Sequence, residues 1–464
     1  MMKRIQRWTM FGAMTGLVGA SAVACDAVTE RLPFVAPALS DGSALAEASL
    51  PPEGGPIVDA GARPIDASDV TVTCATTPCA LELTAGERHF CARMSDGTAR
   101  CWGDATRGAI GQTARDLDAG DASARDAATP DPDFALEPLL GISDAKEIRA
   151  GGWTTCVLDG AGKVLCWGVN DWGQLGLSAG PTRTDYDAHP TPTPVDLSGV
   201  AERLEVARFN GCAFVGGHVE CWGGNQYRQL SRDTTVAVAG PAPTHLDASK
   251  VERVVFAETA GFALTSDARL LSWGAISAIA GRASSVSADP YPELATSLSG
   301  VTDFAVWTRW PASIVYGQAC AVANGKFYCW GDNSQSTLCT GIPDTEPNPV
   351  ELSIPDESIP SQVAASQFLT CIRSTNGKVH CCGEGNRGQM GTEPPDGSMR
   401  TKQDVLVHVP LDGVAAQVAT SASTACILLT DGSVECWGSN AFGELGQGTK
   451  DDVSHPKPTK VKFR

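Results

Sequence analysis

The sequence has few aromatic residues and none of the short motifs that mark common active sites. Phe, Trp and Tyr make up 6% of the 464 residues, whereas Gly and Pro number 49 and 29. That composition favours short strands and tight turns over long helices. Because the chain lacks a nucleophile motif, a glycine-rich phosphate loop and a His-Glu-x-x-His run, we predict no catalytic residue and no cofactor.

Positive charge is also scarce. The chain has 35 Lys and Arg against 53 Asp and Glu, which gives a formal net charge of -18. An acidic surface repels phosphate backbones, so a nucleic-acid partner is not expected.

Cys-x-x-Cys pairs are absent, although the chain has 17 cysteines. Their absence argues against a zinc site. Many cysteines in an exported chain usually form disulfides.

The N-terminus has the features of a secretion signal. Residues 1–24 combine a basic start with an uncharged, largely apolar run that ends in Ala22-Val23-Ala24. We predict a signal peptide over 1–24. A cysteine directly after the cleavage position resembles a bacterial lipoprotein site, so Cys25 is a candidate for lipidation, although Ala22 stands where Leu is usual. A single membrane anchor is the alternative, but the run is short for a span.

Residues 25–73 are rich in Ala, Pro and Asp and show no period of 2 or 3.6. They predict a disordered linker before a folded region over 74–464. Cys74 and Cys79 are close enough in sequence to bridge each other, and we expect them to pin the start of the folded region.

A repeated unit fills the folded region. It is clearest from Gly151 to Gly176, GGWTTCVLDGAGKVLCWGVNDWGQLG, and it recurs seven times at steps of 52 to 65 residues. The position of the second cysteine is held by Cys101, Cys166, Cys221, Ser272, Cys329, Cys381 and Cys436. A period near fifty predicts an array of one supersecondary unit.

Two cysteines in each unit stand 9 or 10 residues apart around a turn that usually contains Gly. Such spacing predicts β-hairpins whose cysteines face each other within disulfide reach. The pairs are Cys91/Cys101, Cys156/Cys166, Cys212/Cys221, Cys320/Cys329, Cys371/Cys381 and Cys426/Cys436. In the fourth unit we expect Ala263 and Ser272 at the two positions, so both partners are lost together. Buried free thiols and a repeated metal site are the alternatives.

Cys339 and Cys382 lie outside these pairs. Cys339 replaces the last Gly of its unit, and Cys382 replaces the Trp of Cys-Trp-Gly in the next unit. They either bridge neighbouring units or are buried singly.

The tails after Cys-Trp-Gly differ in length and content. The longest insertion, Thr113 to Glu137, is rich in Asp and is predicted to be a solvated acidic loop rather than a calcium loop. One tail position varies among residue types that dominate binding hot spots. This candidate binding ring comprises Arg107, Trp172, Tyr227, Gln335, Arg387 and Phe442. The alternative is that these residues pack against their own loops.

The seven histidines fall at positions that look unrelated within the repeat, so they predict no symmetric metal site. Three of them, His189, His408 and His455, lie near Pro in segments that read as loops.

The repeat resembles that of the regulator of chromosome condensation, in the cysteine-bearing form found in exported bacterial proteins. The copies CVLDGAGKVLCWGVNDWGQLG and CILLTDGSVECWGSNAFGELG carry the resemblance most clearly. It implies an all-β, seven-bladed β-propeller of four-stranded blades, with the recurrent Trp between blades. It also implies that the terminal strand, predicted over Thr459–Phe463, completes a blade begun by the other end of the chain.

These features predict an exported protein of the bacterial cell envelope or extracellular space. We expect a monomeric, non-enzymatic scaffold whose loops bind an unknown protein or glycan, with membrane contact only through a lipid anchor. An enzyme inhibitor is a narrower form of this hypothesis, and a lyase or hydrolase working in the propeller channel is the alternative. The family's nucleotide exchange and chromatin binding are rejected, because export removes the partner and the net charge disfavours DNA.

Overall fold

A computed structural model of the protein describes residues 70–112, 136–177, 184–275, 288–308, 317–393 and 402–463. All of them belong to one compact unit, Ala60–Arg464. The predicted signal peptide, Cys25, nearly all of the predicted linker and residues 113–135 of the acidic insertion lie outside the described residues.

The described chain folds into seven antiparallel sheets, each made of strands that are consecutive in sequence. We number these sheets as blades 1 to 7. Blade 1 contains β1 (Ala80–Ala85), β2 (His89–Met94) and β3 (Ala99–Gly103); blade 2 contains β4 (Ala145–Gly151), β5 (Thr154–Asp159), β6 (Val164–Asn170) and β7 (Asp185–Pro194); blade 3 contains β8 (Ala201–Val206), β9 (Asn210–Val215), β10 (His218–Gly224) and β11 (Val238–Pro243).

The other four blades have four strands each. Blade 4 contains β12 (Val251–Phe256), β13 (Ala260–Thr265), β14 (Leu270–Ala275) and β15 (Ala288–Leu294); blade 5 contains β16 (Val301–Thr308), β17 (Gly317–Ala323), β18 (Lys326–Gly331) and β19 (Glu346–Leu352); blade 6 contains β20 (Pro360–Ala365), β21 (Leu369–Ser374), β22 (Val379–Glu384) and β23 (Lys402–Val409); blade 7 contains β24 (Ala415–Thr420), β25 (Thr424–Leu429), β26 (Val434–Asn440) and β27 (Asp451–Lys460).

The first strands of successive blades contact one another in a closed ring, including β1 with β24. They therefore surround the central channel, while the largely exposed fourth strands form the rim. Turns between first and second strands, and connections between third and fourth strands, lie on one face, which we call the upper face. Hairpin turns between second and third strands lie on the lower face. The predicted all-β, seven-bladed propeller is confirmed.

Each blade except the fourth has two cysteines directly opposite each other on its second and third strands. In all six blades they are bonded, with their Cα atoms 4.1 Å apart. The pairs are Cys91/Cys101, Cys156/Cys166, Cys212/Cys221, Cys320/Cys329, Cys371/Cys381 and Cys426/Cys436.

The predicted alignment of blade 4 is wrong by one residue. Ser272 faces Phe262, whereas Ala263 faces Leu271. The hairpin loop has three residues and ends at Ala268, which adopts the left-handed φ of 59° that Gly supplies elsewhere. The aromatic ring of Phe262 therefore occupies the disulfide position, and it is fully buried.

The recurrent Trp of one blade donates its indole N–H to a carbonyl oxygen in the tail of the preceding blade. The donors and acceptors are Trp102 to Glu444, Trp167 to Ala109, Trp222 to Gln174, Trp273 to Gln229 and Trp437 to Gln389, at 2.6–2.9 Å. These indoles are at most 3% exposed. The expectation that they pack between blades is confirmed by these contacts.

Cys339 and Cys382 form the corresponding link between blades 5 and 6. They are bonded with Cα atoms 5.6 Å apart. Cys382 stands in the Trp position, and Cys339 stands in the position where other blades have a Gly against the Trp ring, as Gly176 does against Trp222. One covalent bond thus replaces one Trp–Gly contact.

A second set of links runs along the inner ring. One position near the start of each first strand, beside a bulge, extends its side chain to the next blade. These links are Glu82 to Ile148, Glu147 to Leu204, Arg203 to Val251, Arg253 to Asp303, Asp303 to Val363, Gln362 to Val418 and Gln417 to Leu83. All seven interfaces therefore carry a polar bond from the same repeat position: five are backbone N–H groups donating to a side-chain oxygen, one is Arg203 donating to a carbonyl oxygen, and one is the Arg253–Asp303 ion pair.

The ring does not close by exchange of a strand, contrary to the prediction. The last strand, β27, pairs with β26 of its own blade and ends at Lys460. Val461 and Phe463 follow it and pack against Trp102 of blade 1, with the two rings 5.7 Å apart. Side-chain contact replaces strand exchange, because the last repeat supplies all four strands of blade 7.

The start of the described chain docks on blade 7. Cys74 and Cys79 are bonded with Cα atoms 5.7 Å apart. The N–H groups of Thr73 and Ala75 donate to carbonyl oxygens of the β25–β26 turn, at 2.7 and 2.9 Å. This small loop therefore holds the first blade against the last one on the lower face.

Candidate functional site

All six positions of the candidate binding ring lie in the connections after the third strands, on the upper face. Arg107 and Arg387 are exposed, and the other four are half-buried. The six positions thus form one surface around the channel.

Two hydrogen bonds fix the shape of the tail that carries the ring. Where Gln or Glu stands two residues after the ring residue, its side chain accepts the N–H of the ring residue, as Gln174 does from Trp172 at 2.8 Å. The equivalent acceptors are Gln229, Gln389 and Glu444. The buried Asn at the start of the tail accepts an N–H five residues later, as Asn170 does from Leu175. The Asn residues that cap their loops in this way are Asn170, Asn225, Asn333 and Asn440.

Three ring residues pack on the next blade. The guanidinium of Arg107 lies 4.6 Å from the ring centre of Trp153, and the rings of Trp172 and Phe209 are 5.3 Å apart. Phe442 of blade 7 lies 4.5 Å below the guanidinium of Arg88. The surface is therefore continuous across these blade boundaries.

Sequence reasoning missed the partners of the ring. Arg88, Trp153 and Phe209 stand three residues before the first cysteine of their units, in the turns between first and second strands. The position four residues before the first cysteine also contributes to the site, because it faces the channel. The recurrence of an aromatic or charged residue at this turn position is the sequence signal from which these three partners could have been predicted.

Three charged residues meet at the channel mouth. One guanidinium nitrogen of Arg208, in blade 3, lies 3.1 Å from a Glu87 oxygen of blade 1 and 3.2 Å from a Glu258 oxygen of blade 4. Blade 2 has Gly152 at the same repeat position. A Cβ there would lie 2.8 Å from the Arg208 Cγ, so only Gly lets this side chain cross blade 2.

Burial controls the charge of both carboxyls. It raises the pKa of Glu258 to about 7, although the Arg208 guanidinium acts in the opposite direction. Burial raises the pKa of Glu87 as well, again against Arg208. One cation between two carboxylates therefore leaves Glu258 partly protonated near neutral pH.

Glu258→Gln is expected to change how stability depends on pH. The folded protein holds the Glu258 proton up to about pH 7, whereas the unfolded chain releases it near 4.5. The contribution of Glu258 is therefore fully present below pH 4.5 and is lost as pH rises to 7. The variant should gain roughly 3 kcal/mol relative to the natural protein across that window. Urea unfolding at several pH values measures this gain, and Glu202→Gln, at an exposed position, is the control. Parallel curves for the two variants would contradict it.

Two of the seven histidines occupy equivalent repeat positions, so the prediction of unrelated positions is wrong for this pair. His189 and His455 face the equivalent Gly168 and Gly438, and each ring nitrogen lies 2.7 Å from the Asp four residues earlier. Both lie in outer strands, and His408 lies in β23, so none of the three is in a loop. Within the described ranges, no group of three His, Cys, Asp or Glu side chains is placed to hold a metal ion.

His89 is fully buried between blades 1 and 2. Its Nε2 lies 2.8 Å from the Thr155 hydroxyl. Burial lowers the pKa of His89 to about 4, so the ring is neutral and structural. Within the part of the chain that the structure describes, no helix is long and apolar enough to cross a membrane.

The fold and its repeats have known relatives. Two models of the regulator of chromosome condensation (RCC1) repeat match the chain, one at residues 82–109, 361–389 and 415–444 and the other at residues 161–209 and 431–464. The ultraviolet-B receptor UVR8 of Arabidopsis thaliana is 24% identical over 386 residues, which are 81% of this chain and 81% of that protein. The E3 ubiquitin-protein ligase HERC2 of Mus musculus is 27% identical over 322 residues, which are 67% of this chain but only 6% of HERC2.

The structural comparison agrees. Yeast RCC1 (Prp20), solved bound to Kap60, superimposes with a TM-score of 0.60 at 16% identity, over 91% of each chain. At that identity the likeness shows the fold alone. Together with the seven consecutive blades and their recurrent Trp, these matches lead to one conclusion: the chain carries RCC1 repeats and is a seven-bladed β-propeller.

Proposed function

We propose that the protein is a rigid binding scaffold that holds a protein partner on its upper face. The observation that carries this proposal is the candidate binding ring, whose six positions share one face and whose tails are fixed by repeated hydrogen bonds. Variable side chains on a fixed frame suit recognition, because little conformational freedom is lost on binding.

The disulfides support a rigid frame. Six of them staple the hairpins, one links blades 5 and 6, and one holds the N-terminal loop. Such a density of bonds also supports the proposal that the protein is exported, with Cys25 as the site of lipidation. Mass mapping of the purified protein tests both proposals. Free thiols at the paired cysteines would contradict export, and an unmodified mature Cys25 would contradict lipidation.

The relatives favour a protein partner over a glycan. Yeast Prp20 was solved bound to Kap60, and its binding to Gsp1p and histones has been described. A scaffold role without catalysis also agrees with the roles of the ring residues, which pack and hydrogen-bond but do not form a nucleophile–base pair.

Trp172→Ala is expected to weaken capture of the native partner by at least about tenfold. Its ring is half-buried against Phe209 and belongs to the residue types that dominate hot spots. Partners should be captured from envelope and secreted fractions on the immobilised protein, identified, and their dissociation constants measured for each variant.

Tyr186→Ala is the matched control. Tyr186 is an aromatic residue that is 90% exposed on the outer strand β7 and is not one of the six ring positions. Equal affinity of the Trp172→Ala variant and the natural protein for every captured partner would contradict the proposal, as would equal weakening by both substitutions.

A further inference from the structure

Arginine and aromatic side chains alternate across blades 1 to 3 of the upper face. The guanidinium of Arg107 lies 4.6 Å from the ring centre of Trp153, and that of Arg208 lies 5.3 Å from the same ring. Arg208 also lies 5.2 Å from the ring of Phe209, which contacts Trp172 at 5.3 Å. We call these five residues the arginine–aromatic row.

The row is held in place from below. Arg208 is anchored by Glu87 and Glu258, and its passage across blade 2 depends on Gly152. Guanidinium groups over aromatic faces are stabilised by the ring quadrupole, so each member of the row orients the next. The row is therefore formed before any partner arrives.

The guanidinium groups of the row are more exposed than the carboxyls next to them. The side chain of Arg208 is 28% exposed and Arg107 is exposed, whereas the side chain of Glu258 is 2% exposed. Asp104 and Glu444 nearby are also buried. The Glu87 side chain, which pairs with Arg208, is 19% exposed. A chain with a net charge of -18 thus exposes guanidinium groups at this surface more than the carboxyls of Glu87, Glu258, Asp104 and Glu444.

We propose that the arginine–aromatic row docks an acidic segment of a protein partner, in which carboxylates alternate with aromatic or large apolar side chains. This inference rests on the proposed function and names the chemistry of its partner. Arginine forks bind carboxylates in a fixed, often bidentate geometry. The aromatic faces between them supply the apolar contact that such a segment needs.

Two other anionic partners fit the row less well. A polyphosphate chain offers phosphates to the guanidinium groups, but it has no apolar groups to cover the aromatic faces of the row. A uronate glycan offers carboxylates, but it has no apolar side chains to cover Trp153, Phe209 and Trp172. The peptide uses both components of the row.

The test uses the full chain and a fluorescein-labelled peptide in which Asp and Glu alternate with Phe and Tyr. A matched peptide with Asn and Gln in place of the acids, and an oligogalacturonate, are the comparison probes. Anisotropy titrations should show binding of the acidic peptide that is at least about tenfold tighter than that of the neutral one and that weakens with salt. Arg107→Glu should weaken it by at least about tenfold again, because an exposed cation becomes an anion.

Lys163→Glu is the matched control, since it makes the same charge change at an exposed position in the lower-face turn of blade 2. Equal binding of the neutral peptide, equal effects of Arg107→Glu and Lys163→Glu, or no binding of the acidic peptide overturns the inference. Binding of the oligogalacturonate alone, with the same dependence on Arg107, overturns it in favour of a glycan. If the inference fails while Trp172→Ala still weakens capture of the native partner, the proposed function stands.

Discussion

Replacing Cys339 and Cys382 together by serine is expected to lower the free energy of unfolding by about 4 kcal/mol. Their bond closes 43 residues, and the entropy of the unfolded chain grows with the length of the loop that is released. The pair Cys426/Cys436 closes only 10 residues, so its replacement should cost about 2.7 kcal/mol on the same basis. Guanidinium unfolding followed by tryptophan fluorescence measures both losses.

The Trp–Gly contact between other blades supplies the control for this prediction. Cys382→Trp alone removes the bond and places an indole against the Cys339 side chain. A Cβ at the equivalent Gly176 would lie 3.0 Å from the Trp222 ring, so the single variant should be the least stable. Cys339→Gly together with Cys382→Trp should recover most of the loss. A double variant no more stable than Cys382→Trp would show that the two interfaces are not equivalent.

Trp222→Ala is expected to lower the free energy of unfolding by about 3–5 kcal/mol. The indole is fully buried between blades 2 and 3, and its N–H donates to the Gln174 carbonyl oxygen at 2.8 Å. Alanine leaves a cavity and an acceptor without its donor. Calorimetry or denaturant unfolding at neutral pH measures the loss.

Trp222→Phe separates the two contributions. It keeps an aromatic ring in the interface but removes the N–H, so the expected cost falls to about 1–2 kcal/mol. A smaller loss of stability for Trp222→Ala than for Trp222→Phe would show that the indole does not stabilise this interface.

Local features of the fold could be predicted from the sequence. Cysteine spacing and Gly turns are properties of one hairpin, so the register of six blades follows from a few residues each. Blade 4 failed because Asp267-Ala268 reads as a two-residue loop, while Ala268 takes a left-handed conformation that sequence rules reserve for Gly. This one residue shifts the pairing of β13 with β14 by one position from the predicted register.

Contacts between blades were harder to predict. Val461 and Phe463 lie in the terminal strand that was predicted over Thr459–Phe463, but their partner Trp102 is more than three hundred residues away in sequence. The meeting of Glu87, Arg208 and Glu258 depends on three turns in different blades and on the small size of Gly152. The ring positions were identified because they vary within a repeat, whereas their partners lie in turns that carry no repeated cysteine or Gly.

The inner-ring link from Gln417 to Leu83 comes from the same repeat position as the six others, and it joins the last blade to the first. Among the described strands, none is shared across that boundary. The boundary is therefore bridged at the inner ring like every other, while the N-terminal loop and the C-terminal residues add contacts that occur there alone. A circularly permuted gene that begins between two other blades would keep all seven inner-ring links.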